Sequence, residues 1–233
     1  MRIEVVHHVA GARASRGVAI VIDVFRCCSV AAYALEAGAA RIVPVAAVED
    51  AYGLKRTLPD AWLIGERHGQ PLPGFDAGNS PTEVRALPLA GRTLIHTTHA
   101  GTQGLEAAAA DVVFTGAFVN LGATVAAVLA LSPPEVWVVA MGHQARERCV
   151  EDDLCAEWFA ARLAARGGAC ADQQEGVLIE RLRAAPAARK FFDPALAWAP
   201  EADFHACARL DRVPFAVQRR RDARLGGRWT LTR

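Results

Sequence analysis

Apolar residues along this chain fall into short unbroken runs, and stretches of helical periodicity separate them. Val18 to Val24, Val-Ala-Ile-Val-Ile-Asp-Val, has no polar alternation, which predicts a strand buried on both faces with Asp23 near its carboxyl end. Val136 to Met141 reads the same way, and Arg41 to Val45, Trp62 to Ile64, Thr93 to His96 and Val112 to Thr115 give shorter strands. Ile3 to Val9 predicts an edge-like strand. Between these lie predicted helices: an alanine-rich one stopping at Gly38, then Val48 to Leu58, one through Ala110, and one capped by Asn120 and closed by Pro133-Pro134. Leu154, Trp158 and Leu163 recur at helical spacing up to Gly167. Further on, helices are expected at Gln173 to Ala184 and Ala202 to Leu210, with late strands at Val213 to Gln218 and Trp229 to Leu231. Such alternation predicts an α/β fold with a largely parallel sheet covered on both faces. One domain spanning 1–233 is expected, mostly helical from about residue 170.

The pattern breaks between Gly65 and Pro81, where four glycines and three prolines leave no regular element. A loop this long inside a compact domain usually has a function, and this one carries Glu66, Arg67 and Asp76. Ser80-Pro81-Thr82-Glu83 marks its exit as a capping box opening a short helix.

Composition narrows the chemistry. With 26 basic against 25 acidic residues the net charge is +1, so no global field draws nucleic acid or an anionic membrane. The run Arg219-Arg220-Arg221, with Arg224 and Arg228, reads as a solvated charged edge. Lys55 and Lys190 are the only lysines, and neither stands in a G-x-x-x-x-G-K-[ST] phosphate loop. Six cysteines, at 27, 28, 149, 155, 170 and 207, form no C-x-x-C pair and are expected as reduced, partly buried thiols. No arginine stands six residues after any of them, which argues against a thiol phosphatase. With no leader and no apolar run of spanning length, the expectation is a cytoplasmic protein without membrane contact.

In open α/β sheets ligands sit beyond the carboxyl ends of the strands. That rule gathers Asp23, Arg26, Glu66, Arg67, Asp76, Thr97 to Thr102, Asn120 and Glu151 to Asp153 on one rim. Several carboxylates with few histidines suit Mg²⁺, which takes oxygen ligands. Each feature also has a structural reading. Glu151 to Asp153 can serve the start of a helix, Asp23 can pair with Arg26, Arg67 can brace its loop, and the threonines can cap. His96 and His99 read as hydrogen-bonded histidines before metal ligands. Asp23-Val24-Phe25-Arg26 begins like an aspartyl-nucleophile loop but has arginine where a second aspartate belongs.

Val21 to Arg26, Gly65-Glu66-Arg67, Gly74-Phe75-Asp76-Ala77-Gly78-Asn79-Ser80-Pro81, Thr97-Thr98 with Gly101-Thr102, and Glu151-Asp152 with Leu154-Cys155-Ala156 together resemble the 2-phosphosulfolactate phosphatase family, the ComB-like proteins. The resemblance implies a three-layer α/β/α fold with a largely parallel or mixed central sheet. It also implies Mg²⁺-dependent hydrolysis of 2-phospho-3-sulfolactate, a step toward coenzyme M. Carried onto this chain, Asp23, Arg26, Glu66 and Arg67 are expected to be catalytic. Arg26, Arg67, Asn79, Thr97, Thr98, Gly101, Thr102 and Asn120 are expected to hold a small anionic phosphorylated substrate, and Asp23, Glu66, Asp76, Glu151 and Asp152 the metal. Arg26→Lys is then expected to impair turnover far more than folding. Two departures stand out: Cys27-Cys28-Ser29 where the family often has threonines, and Ala100 where asparagine often precedes Gly-Thr. A non-catalytic member binding a small anion or a protein partner is the alternative, and a homo-oligomer is left open.

Overall fold

Each unbroken apolar run becomes a strand in the computed structural model, which describes residues 1–168 and 173–233. Cys170 and the start of the expected 170s segment lie outside the described residues. The strands are β1 (Arg2–His7), β2 (Val18–Ile22), β3 (Arg41–Pro44), β4 (Trp62–Arg67), β5 (Gln70–Pro71), β6 (Thr93–Thr97), β7 (Val112–Gly116), β8 (Glu135–Ala140), β9 (Val217–Asp222) and β10 (Arg228–Thr232). They form one sheet in the order β1-β8-β2-β7-β9-β10-β3-β6-β4-β5. The helices are α1 (His8–Ala14), α2 (Cys27–Glu36), α3 (Val48–Thr57), α4 (Pro81–Ala86), α5 (Gly101–Ala107), α6 (Leu121–Ala130), α7 (Val150–Ala164), α8 (Glu175–Ala184) and α9 (Glu201–Cys207). The result is a three-layer α/β/α arrangement around a mixed sheet.

β2 shows why the layers form. All five of its residues are buried. Val18, Ile20 and Ile22 pack with Leu121, Val125 and Phe159 from α6 and α7, while Ala19 and Val21 pack with Val30 and Ala31 of α2 and Leu105 of α5. A fully buried Val or Ile contributes roughly 1.5–3 kcal/mol, so a strand apolar on both sides must be covered on both sides.

Two parallel sets make up most of the sheet: β1, β8, β2 and β7 on one side, β3, β6 and β4 on the other. Between them β9 runs antiparallel to β7, β10 antiparallel to β9, and β3 antiparallel to β10. The two sets therefore point in opposite directions locally. Neighbouring strands also rotate by roughly 20–25° each, so the six steps from β2 to β4 accumulate about 120–150° of twist. That nearly undoes the reversal and turns the carboxyl ends of β2 and β4 toward each other. Asp23, just past β2, accepts a hydrogen bond from the amide of Gly101, just past β6, at 2.8 Å.

The arginine run expected as a solvated edge instead lies in β9, inside the sheet. Alternation places Arg219 inward, where its guanidinium donates to the Leu105 and Ala108 carbonyls at the end of α5. Arg219 and Arg221 stack on Trp229 of β10, at 4.1 and 3.7 Å from the ring centroid. β9 also begins later than expected, because Pro214 has no amide to give a ladder. β1 stops at His7, and His8 turns with φ 61 into α1, a helix the apolar pattern did not suggest. The Gly65 stretch is likewise not all loop: Gly65 to Arg67 finish β4, and β5 returns against them with Glu66 opposite Pro71. At its exit Ser80 Oγ accepts from the Glu83 amide, as the capping box requires. Glu83 itself turns to the Gly78 amide at 2.9 Å. Asn120 does not cap α6 with its side chain; its Oδ1 accepts from the Ala117 amide.

Candidate active site

A cavity of about 170 Å³ opens where the ends of β2 and β4 meet the start of α7. Asp23, Glu66, Glu151 and Asp152 line it, and all four are buried. Three of them are tied down by main-chain amides. Asp23 accepts from Cys27 N at 3.2 Å and Gly101 N at 2.8 Å. Glu66 accepts from His99 N at 2.7 Å and Gly69 N at 2.6 Å. Asp152 accepts from Val24 N and Gly142 N, both at 2.8 Å. Each carboxylate thereby joins separate loops, and its direction is fixed before any ligand arrives. A Cβ at Gly101 would stand 2.7 Å from Asp23 Oδ2, so only glycine lets the amide come this close. Glu151 differs: its Oε2 is buried without a hydrogen-bond partner.

Crowding of acids shows in their proton affinity. Burial, opposed by the Cys27 amide and reinforced by the Glu66 charge, pushes Asp23 up to about 6. Burial and the neighbouring charges of Asp23 and Glu151 push Asp152 well above the usual carboxylate range. Buried like charges with one orphaned oxygen call for a cation. The four carboxylates suit a hard divalent ion, which keeps several waters and needs few direct protein ligands, although His68, His99, His143 and Cys149 line the same cavity. Among the described residues no three His, Cys, Asp or Glu side chains converge on one point, so the fit is in charge and donor type.

Arg26 also reaches the cavity but is already engaged. Its Nη1 donates to Asp203 Oδ2 at 2.7 Å and to the Trp198 carbonyl at 2.8 Å. The expected structural partner, Asp23, is not the one it takes. Asp203 is fully buried and further accepts from Ser80 Oγ, Thr82 Oγ1 and Thr82 N. Asn79 lines the cavity, with Oδ1 accepting from His96 Nε2 at 3.1 Å. Burial holds His96 neutral, down at about 3.

Other expected site residues do not line the cavity. Arg67 donates to the Glu66 and Ala46 carbonyls and to Thr97 Oγ1, bracing the loop. Thr98 and Thr102 bond to each other around the first turn of α5. Gly101 contributes through its amide alone. Asp76 accepts from the Leu63 amide at 2.7 Å, three residues before Glu66 on β4 and away from the acids. Asn120 is buried in the turn between β7 and α6.

Several lining residues carried no sequence signal of their own: His68, His143, Gln144, Cys149, Lys190 and Trp198. Lys190 and Trp198 come from the segment after α8, Lys190 standing 165 residues beyond Phe25, and nothing local announces that return. Rarity was the one available clue, since Lys190 is one of two lysines.

A mixed α/β/α sheet thus gathers buried acids from two strand ends and one helix start around a single polar cavity. The chain belongs to the 2-phosphosulpholactate phosphatase family, whose model matches residues 4–219. It is 41% identical over 131 residues to a probable 2-phosphosulfolactate phosphatase of Deinococcus radiodurans, covering 55% of each chain. To proteins of the same description it is 35% identical in Thermotoga maritima, over 62% of each chain, and 33% identical in Bacillus subtilis, over 75% of this chain and 74% of that one. The first of these matches thus spans little more than half of the relative's length.

Proposed function

We propose that this protein is a Mg²⁺-dependent phosphatase of a small anionic hydroxy-acid phosphate, hydrolysing 2-phospho-3-sulfolactate to 3-sulfolactate and phosphate, as in a coenzyme M type route. The observation that carries the reading is the convergence of Asp23, Glu66, Glu151 and Asp152 on one cavity in a chain of this family. Carboxylates of this set would hold the ion through few direct contacts, with water completing its shell. When bound, it would neutralise phosphoryl charge and make water a better nucleophile at neutral pH. The chain's own part is orientation: six amide hydrogen bonds fix three carboxylates, and Trp198 packed against Gly69 covers one side of the cavity. Incubation of the protein with 2-phospho-3-sulfolactate is expected to release phosphate, to stop with chelator and to resume with Mg²⁺. Undiminished release under chelation would remove the metal from the proposal; no release from any hydroxy-acid phosphate would favour a binding protein of the same fold.

A stability measurement tests the metal separately. Asp23 has a folded-state pKa of about 6 against an ordinary 3.8. The native state therefore binds the extra proton between those values, and stability is lost as pH rises through them. Two units correspond to about 3 kcal/mol, and Asp152 shifts in the same direction. The metal-free protein is expected to lose thermal stability from pH 4 to pH 7. Mg²⁺ should restore it, raising Tm more at pH 7.5 than at pH 5. Melting curves with chelator that are flat across this range, and insensitive to Mg²⁺, would show that these acids carry no such strain.

A further inference from the structure

The proposed reaction needs a cationic side chain on the phosphoryl group, and the sequence points to Arg26. The structure redirects that role. Arg26 is 2% exposed, with Nη1 shared between Asp203 and the Trp198 carbonyl and Nη2 3.4 Å from the Gly69 carbonyl. The rings of Phe191 and Trp198 each lie 5.8 Å from its guanidinium carbon. Its charge is matched by a fully buried aspartate, and its nitrogens are largely spent.

Lys190 has the opposite circumstances. It lines the same cavity, yet its Nζ makes one long hydrogen bond, 3.5 Å to the Phe25 carbonyl, and otherwise faces the rings of Phe25 and Phe191 at 5.9 and 5.0 Å. Among the described residues it forms no ion pair; burial and the neighbouring Arg26 charge lower its proton affinity, while Glu151 and Asp23 are near enough to act the other way. An ammonium has three donors, so most of its capacity is unspent. A partly desolvated cation beside acids that do not pair with it is placed for an anion lying between them.

We propose that Lys190 is the side chain that donates to the phosphoryl oxygens of the substrate, and that Arg26, committed to Asp203, is a positioning residue behind it. This rests on the phosphatase reading above. A lysine suits the place because it is a compact charge whose donors rotate to follow a group changing shape, where a planar guanidinium would demand one orientation. The alternative for Lys190 is a contact to the acid group of the substrate, and the two ends can be probed apart.

Lys190→Met removes the charge, keeps much of the volume and is expected to fold, since it deletes a single long hydrogen bond. Calorimetry in Mg²⁺ with inorganic phosphate is expected to show about a tenfold or greater loss of affinity, while 3-sulfolactate, which lacks the phosphoryl group, binds within about threefold of wild type. The kcat should fall by about 10²-fold, and Lys190→Arg should recover part of the phosphate affinity. If the loss appears with 3-sulfolactate and not with phosphate, Lys190 serves the acid end and the proposal is overturned. Unchanged binding of both overturns it too, as does a large drop in Tm with phosphate affinity intact, which would mark a structural brace. Should Lys190→Met not fold, Lys190→Gln is read by the same two titrations. Wild-type protein that neither binds phosphate nor hydrolyses a phosphate ester would instead defeat the phosphatase reading itself.

Discussion

Asp23→Asn is expected to lower kcat on 2-phospho-3-sulfolactate by about 10²–10³ while leaving the protein folded. The change is nearly isosteric, so the β2 end and the start of α2 keep their shape. What changes is charge and acceptor count. Asparagine offers one oxygen to the two amides of Cys27 and Gly101, and an unpaired buried amide costs about 1–3 kcal/mol. Against that, the substitution removes a charge that burial and Glu66 already oppose. These two effects are of similar size, so metal-free stability should move little, and the Mg²⁺-dependent rise in Tm should shrink. Steady-state kinetics and melting curves with and without Mg²⁺ check both. A kcat within about threefold of wild type would place Asp23 outside the chemistry.

The importance of Asp23 is legible in the sequence, because an acid closing an apolar strand has few bland explanations. Glu66 follows this logic at the end of β4, whereas Glu151 and Asp152 read equally as acids opening a helix, and the fold delivers all four to one cavity. Asp76 looks equivalent by composition. It sits instead beside Leu63, since the chain after β5 runs back along β4 and carries it away from the strand's end. The threonines after β6 read as an anion cradle for the same reason that they can serve a helix start: both uses need hydroxyls and a free first turn. In the folded chain Thr98 and Thr102 are spent on each other.

What stays hidden in the sequence depends on distance along the chain and on alternation. β9 carries three consecutive arginines, which read as a solvated charged edge, yet Arg219 is 5% exposed because carbonyls at the end of α5 and the Trp229 ring receive it. That hairpin stands between the two parallel halves of the sheet and reverses one against the other. No local pattern encodes it. The segment after α8 is hidden in the same way, since Trp198, Lys190 and Asp203 matter through contacts with residues more than a hundred positions earlier.

Asp203 is the residue whose loss should unfold the protein most. Asp203→Ala is expected to cost about 3–5 kcal/mol, the range for breaking a buried ion pair and leaving its partner uncompensated. Arg26 is 2% exposed and, among the described residues, forms an ion pair with no other acid, while Ser80 and Thr82 lose the acceptor that ties α4 to α9. Arg26→Lys, read from the sequence as a loss of turnover, should therefore destabilise as well: one ammonium cannot reproduce donation to Asp203, the Trp198 carbonyl and Gly69 from a planar group. Pairing Asp203→Leu with Arg26→Met should be less damaging than the sum of the two single changes, because no buried charge is then left alone. Urea denaturation of the four proteins measures the coupling. Single losses below about 1 kcal/mol would mean that solvent reaches the pair, and Arg26 would again be free to clamp a substrate.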